Sequence, residues 1–170
     1  MKILKLEPEH AAAYRTLMLG GYESAPEAFT ATVAERRDQP LSWWRERFIG
    51  QPKAICRVFG AFDDDRLVGV VGLRQASRPK TRHKATLFGL FVHPDATGRG
   101  IGRRLVEALL DEARGHADLL AVQLTVTESN EAALRLYEAC GFERFGVEPM
   151  AMRTDEGFRA KVHMWCSVDA

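Results

Sequence analysis

The sequence predicts one α/β domain, in which helices pack on a central sheet. Short apolar runs of strand type, such as Arg57–Phe62 and Leu67–Leu73, alternate along the chain with segments whose apolar residues have helical spacing, such as Arg103–Arg114. The chain has 170 residues, 46% of them hydrophobic, which is enough for one domain with a buried core. We therefore expect a single domain over residues 1–170.

Composition and charge exclude several classes of protein. Lys and Arg number 24 against 23 Asp and Glu, so no overall field would recruit nucleic acid or a membrane surface. No apolar run approaches the roughly 20 residues of a spanning helix, and Pro8 comes too early for a signal peptide. Cys56, Cys140 and Cys166 are an odd, widely spaced set, which indicates neither a zinc site nor a disulfide framework. We expect a cytoplasmic protein without a metal.

The N-terminal third contains one predicted strand and two predicted helices. Ile3–Leu6 is strand-like, and a helical pattern follows over Glu9–Leu19. We expect Gly20-Gly21 to end that helix, because glycine is a poor helix former. Residues 21–40 are rich in loop-forming residues, and Ser42 is a candidate N-cap for a helix that runs to Ile49.

The rest of the chain alternates between strands and helices. Residues 63–66 connect a hairpin, Pro94 ends a strand because proline cannot continue the ladder, and Gly141 suits a left-handed helix cap. The predicted elements are strands Arg57–Phe62, Leu67–Leu73 and Thr86–Val92, helix Arg103–Arg114, strand Leu120–Val126, helix Asn130–Ala139, and strands Phe142–Val147 and Lys161–Val168.

A glycine-rich turn over residues 98–102 joins a strand to a helix. Such a turn exposes backbone N–H groups at the positive end of the helix dipole, which predicts a phosphate site. Arg99, Arg103 and Arg104 would add charge-assisted donors. The alternative is a turn that only packs the helix against the strand. The spacing fits neither a P-loop nor the dinucleotide pattern GxGxxG, so other nucleotide-binding folds are excluded.

Two motifs give the chain a resemblance to a known family. Thr97–Gly102 is similar to the pattern Q/R-x-x-G-x-G/A, and Leu90–Pro94 precedes it. Asn130, Ala133, Leu136-Tyr137 and Gly141-Phe142 fit the pattern N-x-x-A-x-x-L-Y-x-x-x-G-F. The chain thus resembles the GCN5-related N-acetyltransferase (GNAT) family. That resemblance implies a central mixed, mostly antiparallel sheet flanked by helices, and a possible homodimer.

The resemblance also implies a reaction and the residues that serve it. Acetyl-CoA would be the cosubstrate, and a primary amine on a small molecule or peptide would attack its thioester directly. Tyr137 would lie beside the sulfur as a proton donor, and backbone groups of Leu90 and Val92 would hold the pantetheine arm. Asn130 would contact the cofactor or only cap its helix. The cofactor-binding residues implied are Leu90, Phe91, Val92, Thr97, Gly98, Arg99, Gly100, Ile101, Gly102, Arg103, Asn130 and Tyr137.

Two departures from the family pattern bear on binding and catalysis. Thr97 replaces the Gln or Arg that opens the first motif, and we expect a weakened contact with the cofactor rather than a lost one. Thr86 stands where many relatives carry a glutamate that acts as the base. We take His83 as the first candidate base, because an imidazole titrates near neutrality. The alternatives left open are Glu23, Glu27, Glu128 and a chain of water molecules.

Two hypotheses of function follow from these residues. The first is an acetyl-CoA-dependent N-acetyltransferase, and the second is a non-catalytic module that binds acetyl-CoA as a sensor. Thr86 and Thr97 favour the sensor, whereas Tyr137 favours the enzyme, because a sensor needs no proton donor at the sulfur. Trp43 and Trp44 are candidate walls of an acceptor pocket, and we expect one of them to pack its helix on the sheet instead.

Overall fold

A computed structural model describes residues 1–50 and 54–169 and has a seven-stranded sheet at its centre. The strands are Lys2–Lys5 (β1), Cys56–Asp63 (β2), Arg66–Gln75 (β3), Lys84–Val92 (β4), Ala121–Thr127 (β5), Glu143–Thr154 (β6) and Gly157–Ser167 (β7). Their order is β1-β2-β3-β4-β5-β7-β6, and only the pair β4–β5 is parallel. The predicted mixed, mostly antiparallel sheet is confirmed.

Helices cover both faces of the sheet. They are Ala11–Ser24 (α1), Val33–Arg37 (α2), Leu41–Glu46 (α3), Ile101–Arg114 (α4) and Glu131–Ala139 (α5). One core lies between the sheet and α4 and α5, and a second core lies between the sheet and the side of α1 and α3. Within the described ranges, no helix has both the length and the apolar character that a membrane crossing needs.

Several predicted connections are confirmed by the backbone. β2 and β3 form the expected hairpin, with Asp63 opposite Arg66. β4 ends at Val92 before Pro94, and α5 is followed by Gly141 at φ +91°, the left-handed conformation expected of its cap. The sequence pattern therefore located the strand–turn–helix units that carry both motifs.

The prediction that Gly20-Gly21 ends the first helix is wrong. Helix α1 continues through both glycines to Ser24. A Cβ at Gly21 would lie 3.1 Å from the ring of Phe91, so the missing side chain allows α1 to approach β4 closely. Tertiary packing here outweighs the poor helix propensity of glycine.

The other differences concern the bounds of elements. Helix α3 begins at Leu41, with Pro40 rather than Ser42 at its N-cap. The two closing strands form a hairpin longer than predicted, because β6 continues to Thr154. Irregular pairing between Glu148 and Met152 lengthens β6, and Met150 adopts a positive φ of +52° there. This backbone departs from simple alternation, so periodicity could not reveal the strand's full length.

Strands β4 and β5 separate after a short paired segment. Their parallel register covers only Lys84–Thr86 opposite Ala121–Gln123. Beyond it β4 carries an irregularity, where the register against β3 shifts and Gly89 has φ +63°. A gap therefore opens beside the second half of β4, in the middle of the sheet.

Candidate functional site

A cavity of about 480 Å³ occupies this gap. Its walls come from the end of β4, the glycine-rich turn, the start of α4 and one face of α5. Every cofactor-binding residue predicted from the sequence lines it except Arg99 and Tyr137. The lining residues in that set are Leu90, Phe91, Val92, Thr97, Gly98, Gly100, Ile101, Gly102, Arg103 and Asn130.

The glycine-rich turn presents a row of free backbone donors to this cavity. Within the described part of the chain, no acceptor is found for the N–H groups of residues 98–103. Gly98 and Gly100 have φ of +74° and +70°, and nothing lies within 4 Å of a Cβ at either position. These N–H groups stand at the positive end of the fourteen-residue helix α4. The arrangement suits a diphosphate, because both backbone donors and dipole favour an anion.

The free edge of β4 supplies further backbone groups to the cavity. The N–H of His93 donates to the carbonyl of Val68 on β3 at 2.8 Å. Because bonding alternates along an antiparallel pair, the N–H and C=O groups of Leu90 and Val92 point away from β3, toward the gap. Both residues line the cavity, so an extended, amide-containing ligand could pair with this edge.

The polar side chains of the turn are already engaged with other groups. Arg99 donates two hydrogen bonds to Asp63, at 2.7 and 3.2 Å, and so turns toward the β2–β3 hairpin. Arg103 donates to Glu107 at 2.7 Å along α4. The Thr97 hydroxyl donates to the Pro94 carbonyl at 2.8 Å. Anion recognition here therefore relies on backbone N–H groups more than on the side chains named in the sequence prediction.

Asn130 and Tyr137 hold different places on α5. The Asn130 side chain accepts a hydrogen bond from the Ala133 N–H at 3.2 Å, so it caps the helix and also lines the cavity. Tyr137 is buried, with its ring 5.7 Å from that of Phe142. Long helical side chains lean toward the preceding turn, which directs Tyr137 toward Ala133 in the cavity wall. Burial raises the pKa of Tyr137, so its hydroxyl stays protonated.

A second cavity, of about 290 Å³, lies over β4, β5 and β7. It shares Ala28 and Phe29 with the first cavity, and its lining contains Gly89, next to Leu90 of the first. The two cavities therefore meet at the irregularity of β4. Its other lining residues are Thr30, Thr86, Leu87, Phe88, Gln123, Leu124, Thr125, Phe145, Lys161 and His163.

The lining of the second cavity includes His163, a candidate base that the sequence analysis missed. His163 Nε2 lies 3.0 Å from a carboxylate oxygen of Glu148, and the Phe145 ring centroid is 5.8 Å from the imidazole. Lys161 Nζ donates to the Thr30 hydroxyl at 2.6 Å. On β7, Lys161 and His163 alternate with buried residues at 162 and 164. This period-2 alternation of polar and buried positions is the sequence pattern that could have identified His163 as a site residue.

The candidate base His83 lies outside both cavities. It is exposed in the turn before β4, and its carbonyl accepts hydrogen bonds from the N–H groups of Leu120 and Ala121. Gly89 lies six positions further along the chain, which in extended conformation is a span of about 20 Å. This placement argues against the prediction that His83 acts as the base, because a proton acceptor must reach the reacting amine.

The described linings of the two cavities include none of the three glutamate candidates. Glu23 is exposed on α1 and lines a groove with Arg37 instead. The Glu27 carboxylate accepts a hydrogen bond from Arg159 at 3.1 Å, which engages its charge. Glu128 is exposed after β5, and neither cavity includes it. Thr86 does line the second cavity, but its hydroxyl is no base at neutral pH.

Comparisons with known proteins agree with this geometry. Residues 19–142 match the sequence profile of the Acetyltransferase (GNAT) family. The mycothiol acetyltransferase of Rhodococcus jostii is 34% identical over 138 residues, which are 74% of this chain and 44% of that protein. The N-alpha-acetyltransferase RimI of Mycobacterium tuberculosis is 43% identical over 89 residues, 52% of each chain. The chain thus spans about half the length of these two relatives.

A solved structure shows the same fold with a ligand. It is an acetyltransferase from Salmonella typhimurium, called yncA and solved with its cofactor acetyl-CoA. The two folds superpose with a TM-score of 0.82 over 100% of this chain and 95% of that one, at 20% sequence identity. The profile match extends from α1 to the end of the second motif and includes both motifs. This chain belongs to the GNAT family of acetyltransferases.

Proposed function

We propose that this chain transfers the acetyl group of acetyl-CoA to a primary amine. One observation carries the proposal: two cavities meet at the irregularity of β4, and one of them ends in the free N–H groups of residues 98–103. An acyl donor with a diphosphate fits the first cavity, and a second substrate fits the other. Acetyl-CoA, when bound, supplies the acetyl group on a thioester.

The backbone would hold the donor at both ends. The turn over residues 98–103 would take the diphosphate, and the edge of β4 at Leu90 and Val92 would pair with the amides of the pantetheine arm. Leu90 lines the first cavity and follows Gly89 of the second, so we assign its N–H to the thioester oxygen, where negative charge develops. This binding uses main chain, which is why Thr97 in place of Gln or Arg does not abolish it.

His163 would act as the general base. Its Nε2 lies 3.0 Å from Glu148, which orients the ring and leaves Nδ1 to accept a proton from the acceptor amine. Lys161 adds a positive charge to the wall of the same cavity, which disfavours a bound ammonium relative to a neutral amine. Only the neutral amine has the lone pair that attacks the thioester carbon.

Tyr137 would act as the general acid. Its hydroxyl stays protonated, and its side chain leans toward Ala133 of the first cavity, from where it would give a proton to the departing sulfur. Base and acid would then stand on opposite sides of the thioester, one from β7 and one from α5. A pure acetyl-CoA sensor needs neither group, so the pair favours an enzyme.

The test is a panel of primary amines incubated with acetyl-CoA and the purified chain. Release of free CoA thiol is followed against time, and the acetylated amine is identified by its added mass of an acetyl group. Transfer to at least one amine class, above the rate of acetyl-CoA hydrolysis, is the expected result. Binding of acetyl-CoA without transfer to any class would support the sensor hypothesis instead. The homodimer implied by the resemblance stays a separate prediction.

A further inference from the structure

A third cavity, of about 230 Å³, adjoins the second one through Phe88, which lines both. Two guanidinium groups and two aromatic rings dominate its walls, from Arg47, Arg74, Trp43 and Phe88. Trp44, the neighbour of Trp43, is fully buried in the core, so Trp43 is the tryptophan that faces this cavity. The outcome fits the expectation that one of the two tryptophans packs the helix.

The arginines around this cavity have no carboxylate partner among the described residues. Arg47 and Arg36 lie over the Trp43 ring, at 3.9 and 4.7 Å from its centroid, and Arg74 lies over Phe88 at 5.0 Å. The buried Nε atoms of Arg36 and Arg47 make no hydrogen bond. Among the described residues, nine arginines form ion pairs, at 57, 66, 82, 99, 103, 114, 135, 144 and 159. Six others, at 15, 37, 45, 78, 104 and 153, form none either, so the feature that sets Arg36 and Arg47 apart from those six is the buried Nε atom without a hydrogen bond.

Concentrated positive charge of this kind is costly without an anion. Burial lowers the pKa of Arg47, and the charges of Arg36 and Arg74 lower it further, whereas Tyr14 and Tyr22 act in the opposite direction. Glu46 is the one carboxylate in the described lining, and it is exposed and forms no ion pair with these arginines. A bound carboxylate or phosphate would accept hydrogen bonds from both guanidinium groups and offset their repulsion.

The third cavity is placed to hold the far end of an acceptor. Arg74 lies opposite Thr86 in the β3–β4 register, and Thr86 lines the second cavity. Gly89, where the two substrate cavities meet, lies three positions along the strand from Thr86, a span of roughly 10 Å. A single small molecule can bridge that distance. Lys161, on the wall of the second cavity, adds a positive charge along the way.

We propose that the acceptor is an amine that also carries an anionic group, which Arg47 and Arg74 bind while the amine lies beside His163. The inference rests on the proposed acetyl transfer and narrows its substrate class. A carboxylate and a phosphate share the chemistry that the guanidinium groups recognise, so the experiment includes both. The amine and the anion are about 10 Å apart in the extended acceptor.

The experiment compares amines that differ only in the terminal group. ω-Amino carboxylates, ω-aminoalkyl phosphates and the carboxamides of the first series, with matched chain lengths, are assayed for kcat/KM by CoA thiol release. We expect one anionic series to exceed the carboxamides by at least tenfold, and Arg74→Gln to remove that preference through KM. The matched control is Arg78→Gln, an exposed arginine in neither cavity, which should retain the preference.

A binding measurement separates this inference from the proposed reaction. Inorganic phosphate and acetate are titrated into the chain while tryptophan fluorescence is followed, because Trp43 contacts Arg47. We expect a saturable change that weakens at least fivefold in Arg74→Gln. Equal kcat/KM for carboxamides and anions would overturn the inference and leave acetyl transfer intact. A fluorescence change that Arg74→Gln does not weaken would also overturn it. Anion binding without any transfer would instead contradict the proposed function alone.

Discussion

His163 Nε2 lies 3.0 Å from a carboxylate oxygen of Glu148, across the β6–β7 hairpin. The register places Glu148 opposite Lys161, so the imidazole and the carboxylate are diagonal neighbours on one face. That face forms a wall of the cavity in which we place the acceptor amine. The hairpin thus supplies an oriented imidazole to the cavity that Thr86 also lines.

Replacing this imidazole should slow the reaction. We expect His163→Gln to lower kcat by about 100-fold or more, because it removes general-base catalysis, while acetyl-CoA affinity stays unchanged. Glu148→Gln should have a smaller effect, since it only misorients the ring. The matched control is His83→Gln, which changes an exposed histidine outside both cavities. Steady-state rates with a saturating amine check this, and equal losses in the His83 and His163 variants would contradict it.

The role of Tyr137 as the general acid can be tested by removing its hydroxyl. Tyr137→Phe keeps the ring that packs on Phe142 and removes only the proton donor. We expect turnover to fall about 10- to 100-fold while the acetyl-CoA dissociation constant changes little. Turnover equal to that of the natural chain would remove Tyr137 from the mechanism and leave its ring as a core residue.

The glycine-rich turn that we propose to bind the diphosphate depends on residues with a left-handed backbone conformation. Gly100→Ala places a Cβ in open space but at φ +70°, which costs about 1–2 kcal/mol for a non-glycine residue. We expect acetyl-CoA affinity to fall roughly tenfold by calorimetric titration, since that is the ratio this cost allows. Gly20→Ala, also in open space but within α1, is the control and should stabilise the fold by about 0.5–1 kcal/mol. Unchanged affinity in Gly100→Ala would contradict this role of the turn.

Stability should decline on the alkaline side. Burial raises the pKa of Cys166 to about 11, above its value of about 8.5 in an unfolded chain. The unfolded state therefore loses this proton first, and the free energy of unfolding falls as pH rises between those two values. Burial raises the pKa of Tyr14 and Tyr137 as well, which extends the decline. Denaturant titrations from pH 7 to 10 should show a smaller loss in Cys166→Ala, and identical slopes would contradict this cause.

The sequence was sufficient to locate the strand, turn and helices around the first cavity, because local patterns specify them. A strand, a glycine-rich turn and a helix are contiguous, and the motif around Asn130 and Tyr137 lies on one helix. Their spacing carries the geometry without any long-range information. The continuation of α1 through Gly21 was not predicted, because it depends on close packing against Phe91, seventy residues away in sequence.

The acceptor side could not be predicted for a related reason. Glu148 and His163 come together only through the register of β6 and β7, and that register shifts both before Gly146 and after Glu148. Arg47 and Arg74 likewise come from a helix end and a strand that meet through tertiary packing. No spacing in the sequence encodes these pairs. The sequence pattern therefore indicated His83, which precedes the central strand, as the candidate base.

Every proposed step depends on the binding of acetyl-CoA in the first cavity, beside β4. Thermal unfolding of the chain with and without acetyl-CoA measures that binding and needs no knowledge of the acceptor. Ligand at 100 times its dissociation constant adds about 2.7 kcal/mol, which predicts a rise in Tm of roughly 5–10 °C for a chain of this size. An unchanged Tm at millimolar acetyl-CoA would contradict this binding, and the proposed transfer would fall with it.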